Sequence, residues 1–474
     1  MLNKHLEKII LGKLVEPPTT SQLKLITQTS AFILNSSDDE IFQITGYAGT
    51  GKTTVISAII NALDEFKIKT VLMAPTGRAA KVLCNFSGKP AYTIHKKIYR
   101  QKSSKDGFGK FVLGKNLASG TFYIIDEASM IGNQLAETSI FGSGNLLNDL
   151  LEYVYSGKRC KLILIGDTAQ LPPVNYPESP ALIIDNFQML GFTVSSICLT
   201  EVVRHSVQSG ILFNATLIRE LISSGKSKIP RFRIKKFNDI KRISDLEVIQ
   251  ELNKCYIKFG IAETLVVTRS NKRANLFNSG IRKTILGREE QISTGDYLMV
   301  VKNNYFWLSG NDEIDFIANG DIVEVLKIRK YEERYGYHFV NVRLRHVDDD
   351  LREFEAKLVL ESLEIESAAF STEENKKFFY SVYEDYKHFK SKKAGYDAVR
   401  NDPFFNALQV KYAYAVTCHK SQGGQWKAVF VDPGYFSPDM IDREYLRWLY
   451  TAITRASECL YLVNFKNDFF EELV

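Results

Sequence analysis

Along residues 1–205, short apolar runs alternate with stretches whose apolar residues recur at helical spacing. IFQIT (41–45), TVLMA (70–74), TFYII (121–125), KLILI (161–165) and SSICL (195–199) predict buried strands. VISAIINAL (55–63) has the period of a helix, and residues 1–16 predict another, closed by Pro17-Pro18. Strand and helix in alternation predict a parallel sheet with helices packed on it. Residues 206–260 read as helical and connective. A second α/β pattern opens at ETLVVTRSNKRANLFNSGIR (263–282), and GDYLMVVKNN (295–304) and IANGDIVEVLKI (317–328) run in the β manner, with a turn at Asn319-Gly320. From about 329 to 405 the composition shifts to short β-like runs and then an aromatic, charged helix. That shift predicts an inserted small domain with a little β-barrel. VKYAYAV (410–416) returns to the main pattern, and REYLRWLYTAITRASECLYLV (443–463) predicts a helix and then a strand.

The first strand runs directly into Gly46-x-x-x-x-Gly51-Lys52-Thr53, with Gly49 between, and a helix follows. This is a phosphate-binding loop in the strand–loop–helix context that gives the motif its meaning. The glycines let successive backbone N–H groups turn toward one centre, and the helix start adds its positive end. Lys52 can then reach the β- and γ-phosphates of a nucleotide, and the Thr53 hydroxyl can ligate Mg²⁺. TFYII ends in Asp126-Glu127, two carboxylates suited to hold Mg²⁺ and to orient and deprotonate an attacking water. KLILI leads to Asp167 and Gln170, whose neutral amide can sense a γ-phosphate. Arg204, after SSICLT, suits phosphate oxygens or a surface ion pair, and Arg455 suits transition-state charge or a helix surface. Gln22, just ahead of the loop, can read an adenine edge or sit beside a helix cap.

Charge placement adds a second ligand. The chain has 474 residues, 45% hydrophobic and 24% charged, with a net charge of +6. Between Lys96 and Lys115 lie seven Lys/Arg and one Asp, a net of +6 in that tract alone. Tyr99, Phe108 and Phe111 are interleaved with them. Basic residues among aromatics suit a nucleic-acid backbone and exposed bases, as an alternative to a solvated loop with a charged tip. Thr76, Gly77 and Arg78 at the end of TVLMA suit a phosphodiester chain, or plain turn chemistry. Thr417, His419, Lys420 and Ser421 cluster after VKYAYAV, and every type there can bind phosphate or sugar. The six cysteines are scattered with no C-x-x-C pair, which argues against a zinc ribbon or a disulfide framework. The start lacks the apolar core of a signal peptide, and no run of about 18 apolar residues occurs. The expected location is therefore cytoplasmic, in a reducing intracellular compartment.

GYAGTGKTT, APTGRAAK, TIH, IIDEAS, LIGDTAQLPPV, LTEVVR, VTCHKSQGGQW and YTAITRAS resemble the ordered motif series of superfamily 1 helicases, most closely the RecD/Dda-like 5′-to-3′ branch. The resemblance runs from Gln22 to Arg455. It implies two RecA-like P-loop NTPase domains, at 1–205 and at 206–328 plus 406–474. A pin-like hairpin at about 96–118 belongs to the first, and the small barrel insertion at 329–405 to the second. It implies ATP and Mg²⁺ as cofactors. Gln22, Gly46, Gly49, Thr50, Gly51, Lys52, Thr53 and Thr54 would bind ATP. Asp126 would hold the metal with Thr53, Glu127 would be the base, Gln170 the γ-phosphate sensor, and Arg204 and Arg455 the paired arginines. Thr76, Arg78, His95, Phe108, Phe111, Thr417, His419, Lys420 and Ser421 would face DNA. The implied activity is that of a monomeric, ATP-dependent DNA helicase acting on single strands and junctions. A strand-dependent ATPase that remodels protein–DNA complexes without processive unwinding is the alternative.

Overall fold

The computed structural model describes residues 2–35, 37–101, 111–133, 142–203, 208–308, 316–347 and 352–471. The chain divides into two compact units. One comprises residues 1–98, 113–243 and 421–474, the other 99–112 and 244–420.

In chain order the first strands are β1 (Glu40–Gly46), β2 (Lys69–Ala74), β3 (Ala91–Thr93), β4 (Tyr99–Gln101), β5 (Phe111–Leu113), β6 (Thr121–Ile125), β7 (Lys161–Gly166) and β8 (Thr193–Leu199). β4 and β5 pair as a separate two-stranded sheet. The other six form one sheet in the order β3-β2-β6-β7-β1-β8. All of its adjacent pairs are parallel. The inner strands β1, β6 and β7 are covered on both faces, which is why they read as unbroken apolar runs, whereas β8, expected to be buried, lies at the sheet edge and is mostly exposed or half-exposed. Helices Leu2–Gly12, Thr20–Leu34 and Lys52–Glu65 bury Ile10, Leu25, Ile59 and Leu63 against Phe42, Ile44 and Ile163. Register decides where the loops emerge. Thr45 is level with Gly166 and Ile125 with Leu164, so the segments after β1, β6 and β7 leave the sheet at one carboxyl edge. Open parallel sheets bind ligands at that edge. The same unit contains β9 (Ile240–Ile243) and the last two strands of the chain.

In the second unit, β10 (Thr264–Thr268) is followed by β11 (Tyr297–Val300), β12 (Ile322–Arg334), β13 (Tyr337–His346), β14 (Glu353–Val359), β15 (Leu408–Tyr412) and β16 (Ala415–Thr417). β10 and β16 are parallel partners. β11 to β15 close into a barrel. Three of its seams are antiparallel hairpin-type pairings, β14 meets β15 in parallel, and β15 meets β11 antiparallel. The barrel thus draws strands from 297 to 412, a wider span than the 329–405 that composition suggests. The sequence boundary falls inside β12, whose distal half, from Arg329 on, is mostly solvent-facing and therefore polar. Tyr335 and Gly336 carry φ of 56° and 78°, the paired left-handed residues of a tight two-residue hairpin turn. The core is Leu298, Val300, Val323, Val325, Val340, Val342, Leu344, Leu358 and Val410, alternate residues that point inward. The last strands, β17 (Trp426–Asp432) and β18 (Ala456–Val463), are parallel partners in the first unit, with β9 on the far side of β18.

Beside the barrel mouth Asp296 is fully buried, yet well supplied. Arg282 and Arg288 bond its carboxylate at 3.0 and 2.7 Å, and the Tyr414 hydroxyl and the Ser293 N–H each donate to it at 2.8 Å. Removing one member of such a cluster strands buried charge. Asp296→Ala is expected to lower stability by about 3–5 kcal/mol, read as an earlier denaturant midpoint, whereas an exposed pair such as Lys272–Glu366 should tolerate loss of either partner.

Candidate nucleotide and nucleic-acid site

Gly49 and Gly51 have φ of 76° and 73°, and Gly51 sits at the start of helix Lys52–Glu65. A Cβ on Gly51 would meet Gln22 Nε2 at 2.5 Å, so the loop closes only with glycine there. Lys52 Nζ donates to the Gly46 and Tyr47 carbonyls at 2.6 and 2.9 Å and lies 3.9 Å from Asp167 Oδ2. Thr50 donates its hydroxyl to the Tyr47 carbonyl at 2.7 Å. Thr53 is half-buried and Thr54 exposed. Gln22 is buried and serves as the third residue of a capping box on helix Thr20–Leu34. Its Oε1 accepts from the Thr19 N–H, and its Nε2 donates to the Thr50 carbonyl at 3.0 Å. The side chain therefore braces the loop as well as the helix.

Asp126 and Glu127 follow β6. The Asp126 carboxyl is pushed up to about 7, first by desolvation and then by the Glu127 carboxylate, while the Glu127 N–H and Lys52 pull it down. Glu127 adopts φ of 54°, an uncommon conformation for a residue with a Cβ, and accepts from the Ser129 hydroxyl at 3.5 Å. A hydroxyl and a carboxylate are hard oxygen donors. A cation would offset the penalty that burial places on Asp126, so Thr53 and Asp126 fit Mg²⁺, which takes few protein ligands and fills the rest with phosphate and water. Gln170 is buried with its Oε1 lacking a hydrogen-bond partner among the described residues. A buried unpaired amide oxygen is costly, and an incoming water or phosphate-bound hydrogen would supply the missing partner.

The helix Arg443–Ile453 holds this edge together, and the sequence reading gave it no such part. The Tyr450 hydroxyl donates to Asp167 Oδ2 at 2.8 Å and accepts from the Ala48 N–H at 2.7 Å. Burial and the Asp167 carboxylate raise its pKa well above the usual phenol value, so it stays protonated. Thr451 Oγ1 accepts from the Leu171 N–H at 2.8 Å, and Arg447 donates to the carbonyls of Thr168 and Pro177. Residues 447, 450 and 451 share one helix face, spaced by three and four. Polar groups at that spacing within an otherwise apolar helix were the available signal. Gln422 adds a bond from Nε2 to the Leu171 carbonyl at 2.7 Å.

The two arginines expected at the γ-phosphate fare differently. Arg204 lies outside the described residues. Arg455 is buried. Its Nε donates to the Thr451 carbonyl at 3.0 Å, its Nη1 to the Gly424 carbonyl at 3.0 Å, and its Nη2 to Thr454 Oγ1 at 3.3 Å. It is spent here on closing the end of its own helix, not projected as a finger.

Among the residues expected at DNA, Thr76 caps helix Gly77–Ser87, accepting from the Ala79 N–H at 3.2 Å. Arg78 stacks on Trp426 at 4.2 Å, and a Cβ on Gly423 would come within 3.1 Å of Thr76 Oγ1. These four residues pack together at the carboxyl edge, with Gly423 and Trp426 buried and Thr76 and Arg78 partly exposed. Burial lowers the pKa of His95 to about 4, against the opposing field of Asp149, so the ring is neutral near pH 7. His419 is exposed and Thr417 half-exposed, whereas Lys420 bonds Asn319 Oδ1 and is shifted down by burial. Ser421 is fully buried, which withdraws it from any strand in this state. Phe108 lies outside the described residues. Phe111 is buried with its ring 4.7 Å from that of Tyr305, which packs on Phe316 in turn, so it is a core aromatic rather than an exposed wedge.

Tyr450→Phe leaves the Ala48 N–H and the Asp167 carboxylate each one partner short. Expected are a loss of about 1–3 kcal/mol in unfolding free energy and weaker nucleotide binding, read by titration with a fluorescent nucleotide. Wild-type values for both would remove the hydroxyl from any part in holding the loop.

Two family models match the chain, an AAA domain over residues 26–220 and a UvrD-like helicase C-terminal domain over residues 412–463. The chain is similar to the ATP-dependent DNA helicase Dda of Enterobacteria phage T4, at 27% identity over 82% of this chain and 86% of that protein. It is similar to the RecBCD enzyme subunit RecD of Buchnera aphidicola subsp. Schizaphis graminum, at 38% identity over 32% of this chain and 26% of that subunit. An uncharacterised protein of Methanocaldococcus jannaschii is 25% identical over 92% of this chain, which spans 37% of that longer protein. Among solved structures, the Pif1 helicase from Bacteroides in complex with ADP-AlF3 and ssDNA aligns over 97% of this chain and 95% of that one, at 15% identity and a TM-score of 0.48. Among the described residues no helix is long and apolar enough to cross a membrane. The order of the matched segments and the similarity to Dda over most of both chains make the chain similar to the superfamily 1 helicases of the RecD and Dda branch.

Proposed function

We infer that the protein is an ATP-dependent DNA helicase that moves 5′ to 3′ on single-stranded DNA and opens duplex. The observation that carries this is the gathering of Lys52, Asp126, Glu127 and Gln170 at one carboxyl edge of a parallel sheet, in a chain similar to these helicases. In this reading the loop from Gly46 to Thr53 takes the triphosphate, with Thr50 and Thr54 flanking it, and Gln22 lies where an adenine would be read. Mg²⁺, held by Thr53 and Asp126, would neutralise phosphate charge. Glu127 draws the proton from water that Gln170 orients, and the buried amide oxygen of Gln170 is suited to that task. Arg455 must leave its present acceptors to meet the γ-phosphate, which makes its release a step in catalysis. Arg204 is the second candidate for the same charge.

Thr76, Arg78, His95, Thr417, His419 and Lys420 are proposed to hold the strand, by hydrogen bonds and charge to its phosphates, and the binding is then independent of sequence and sensitive to salt. We take 1–205 as the first motor domain and the segments on either side of the barrel as the second, with the barrel strands of 297–412 as the inserted module. Alternating grips by the two, timed by ATP turnover, would carry the chain along a single strand. A monomer suffices for this.

Lys52→Ala is expected to abolish ATP turnover while strand binding survives. Given two duplexes that differ only in the polarity of their single-stranded tail, the wild type should open the 5′-tailed one. Opening of the 3′-tailed one alone would refute the branch, and strand-stimulated turnover with neither opened would favour a remodelling translocase. Phe108→Ala and Phe111→Ala should part company. The first is expected to reduce unwinding and spare ATP turnover. The second removes a buried ring and should cost about 3–5 kcal/mol of stability, seen as an earlier melt.

A further inference from the structure

At the other end of the parallel sheet, by the amino ends of β2 and β6, the surface opens into a cleft of about 710 Å³. Lys67, Lys69, Lys89 and Lys97 line it, and Asp64 is the one acidic residue, so four cations against one anion give +3. Asp64 is already bonded to Lys89 at 2.7 Å. Lys67 and Lys69 form no ion pair among the described residues. Lys67 has φ of 57°, in the left-handed region that is uncommon outside glycine. On the edge strand β3 the ring of Tyr92 is 43% exposed, with Lys97 Nζ 5.2 Å from its centre. The floor is firm. Buried Asn116 donates to the Tyr153 carbonyl at 3.0 Å and accepts from the Tyr123 hydroxyl at 2.8 Å. Lysines on an edge strand commonly do no more than discourage pairing with other chains. That task calls for charge on the strand itself, whereas these four come from the turn before β2, β2, the approach to β3 and the helix Ile94–Ile98.

We propose that this cleft is a second binding site for a nucleic-acid backbone, separate from the one at the carboxyl edge. Spread point charges track phosphates without reading sequence, and a half-exposed ring beside one of them offers an apolar face to a backbone sugar. The length of β2 puts the cleft about 20 Å from Thr76, far enough that a strand seated at the carboxyl edge does not fill it. Its occupant is then a further stretch of the substrate, the duplex arm. The proposal rests on the nucleic-acid reading given above.

The test uses the full chain and fluorescence anisotropy with two probes, a short oligothymidylate and the same oligonucleotide extended into a duplex. Lys67→Glu combined with Lys69→Glu should weaken binding of the tailed duplex at least about tenfold and flatten its salt dependence by about 2 in the log–log slope. Short-strand binding and strand-stimulated ATP turnover should keep their wild-type values. Tyr92→Ala should weaken the tailed duplex in the same sense and guards against a folding defect in the charge reversal. If the wild type binds neither probe, the helicase reading falls and the cleft with it. If the wild type binds both and the variants bind the tailed duplex equally well, the cleft alone is overturned.

Discussion

A hydroxyl that is buried and bonded on both sides fixes the distance between its partners. Tyr450 does this for the phosphate loop and the loop after β7, through Ala48 and Asp167. Because Asp167 is also near Lys52, the position of the Lys52 ammonium is tied to the same point. Leu171 is held from two sides by Thr451 and Gln422, so the segment carrying Gln170 is pinned immediately after it. The nucleotide edge is therefore built from residues on both sides of some three hundred intervening positions, and neither part is complete without the other.

Much of this was legible in the chain before the fold was known. Strands covered on both faces must be apolar throughout, so IFQIT, TVLMA, TFYII and KLILI announced themselves. The loop from Gly46 to Thr53 needs left-handed residues at fixed places, and only glycine supplies them cheaply. The barrel was seen but cut short, because β12 continues beyond the closed part and turns polar there. Its first and last strands, β11 and β15, are also separated by the whole of the insertion. Tyr450 was passed over because a tyrosine among apolar residues reads as core. It is core, and its partners lie far away in sequence.

Polar residues near a ligand edge posed the harder ambiguity. Gln22 was read as a ligand contact or a residue beside a cap, and Thr76 as a strand contact or plain turn chemistry, and in the structure both make caps. The two roles draw on the same chemistry, an oxygen aimed at a free backbone N–H. A side chain that caps one helix end also stiffens the surface a ligand would meet. Ser421 and Phe111 were misjudged for a simpler reason. Position in a motif or a basic tract does not say which way a side chain points, and both point inward.

The barrel begins and ends side by side. Val300 on β11 is the direct partner of Val410 on β15, so everything between leaves and re-enters the chain through a single gap between neighbouring strands. A tight turn could span that gap, and the entropy of closing a loop grows only slowly with its length. The fold can therefore accept a shorter, longer or altogether different module at this position without moving its neighbours. Evolution, or an engineer, could exchange the module here and leave the nucleotide chemistry untouched.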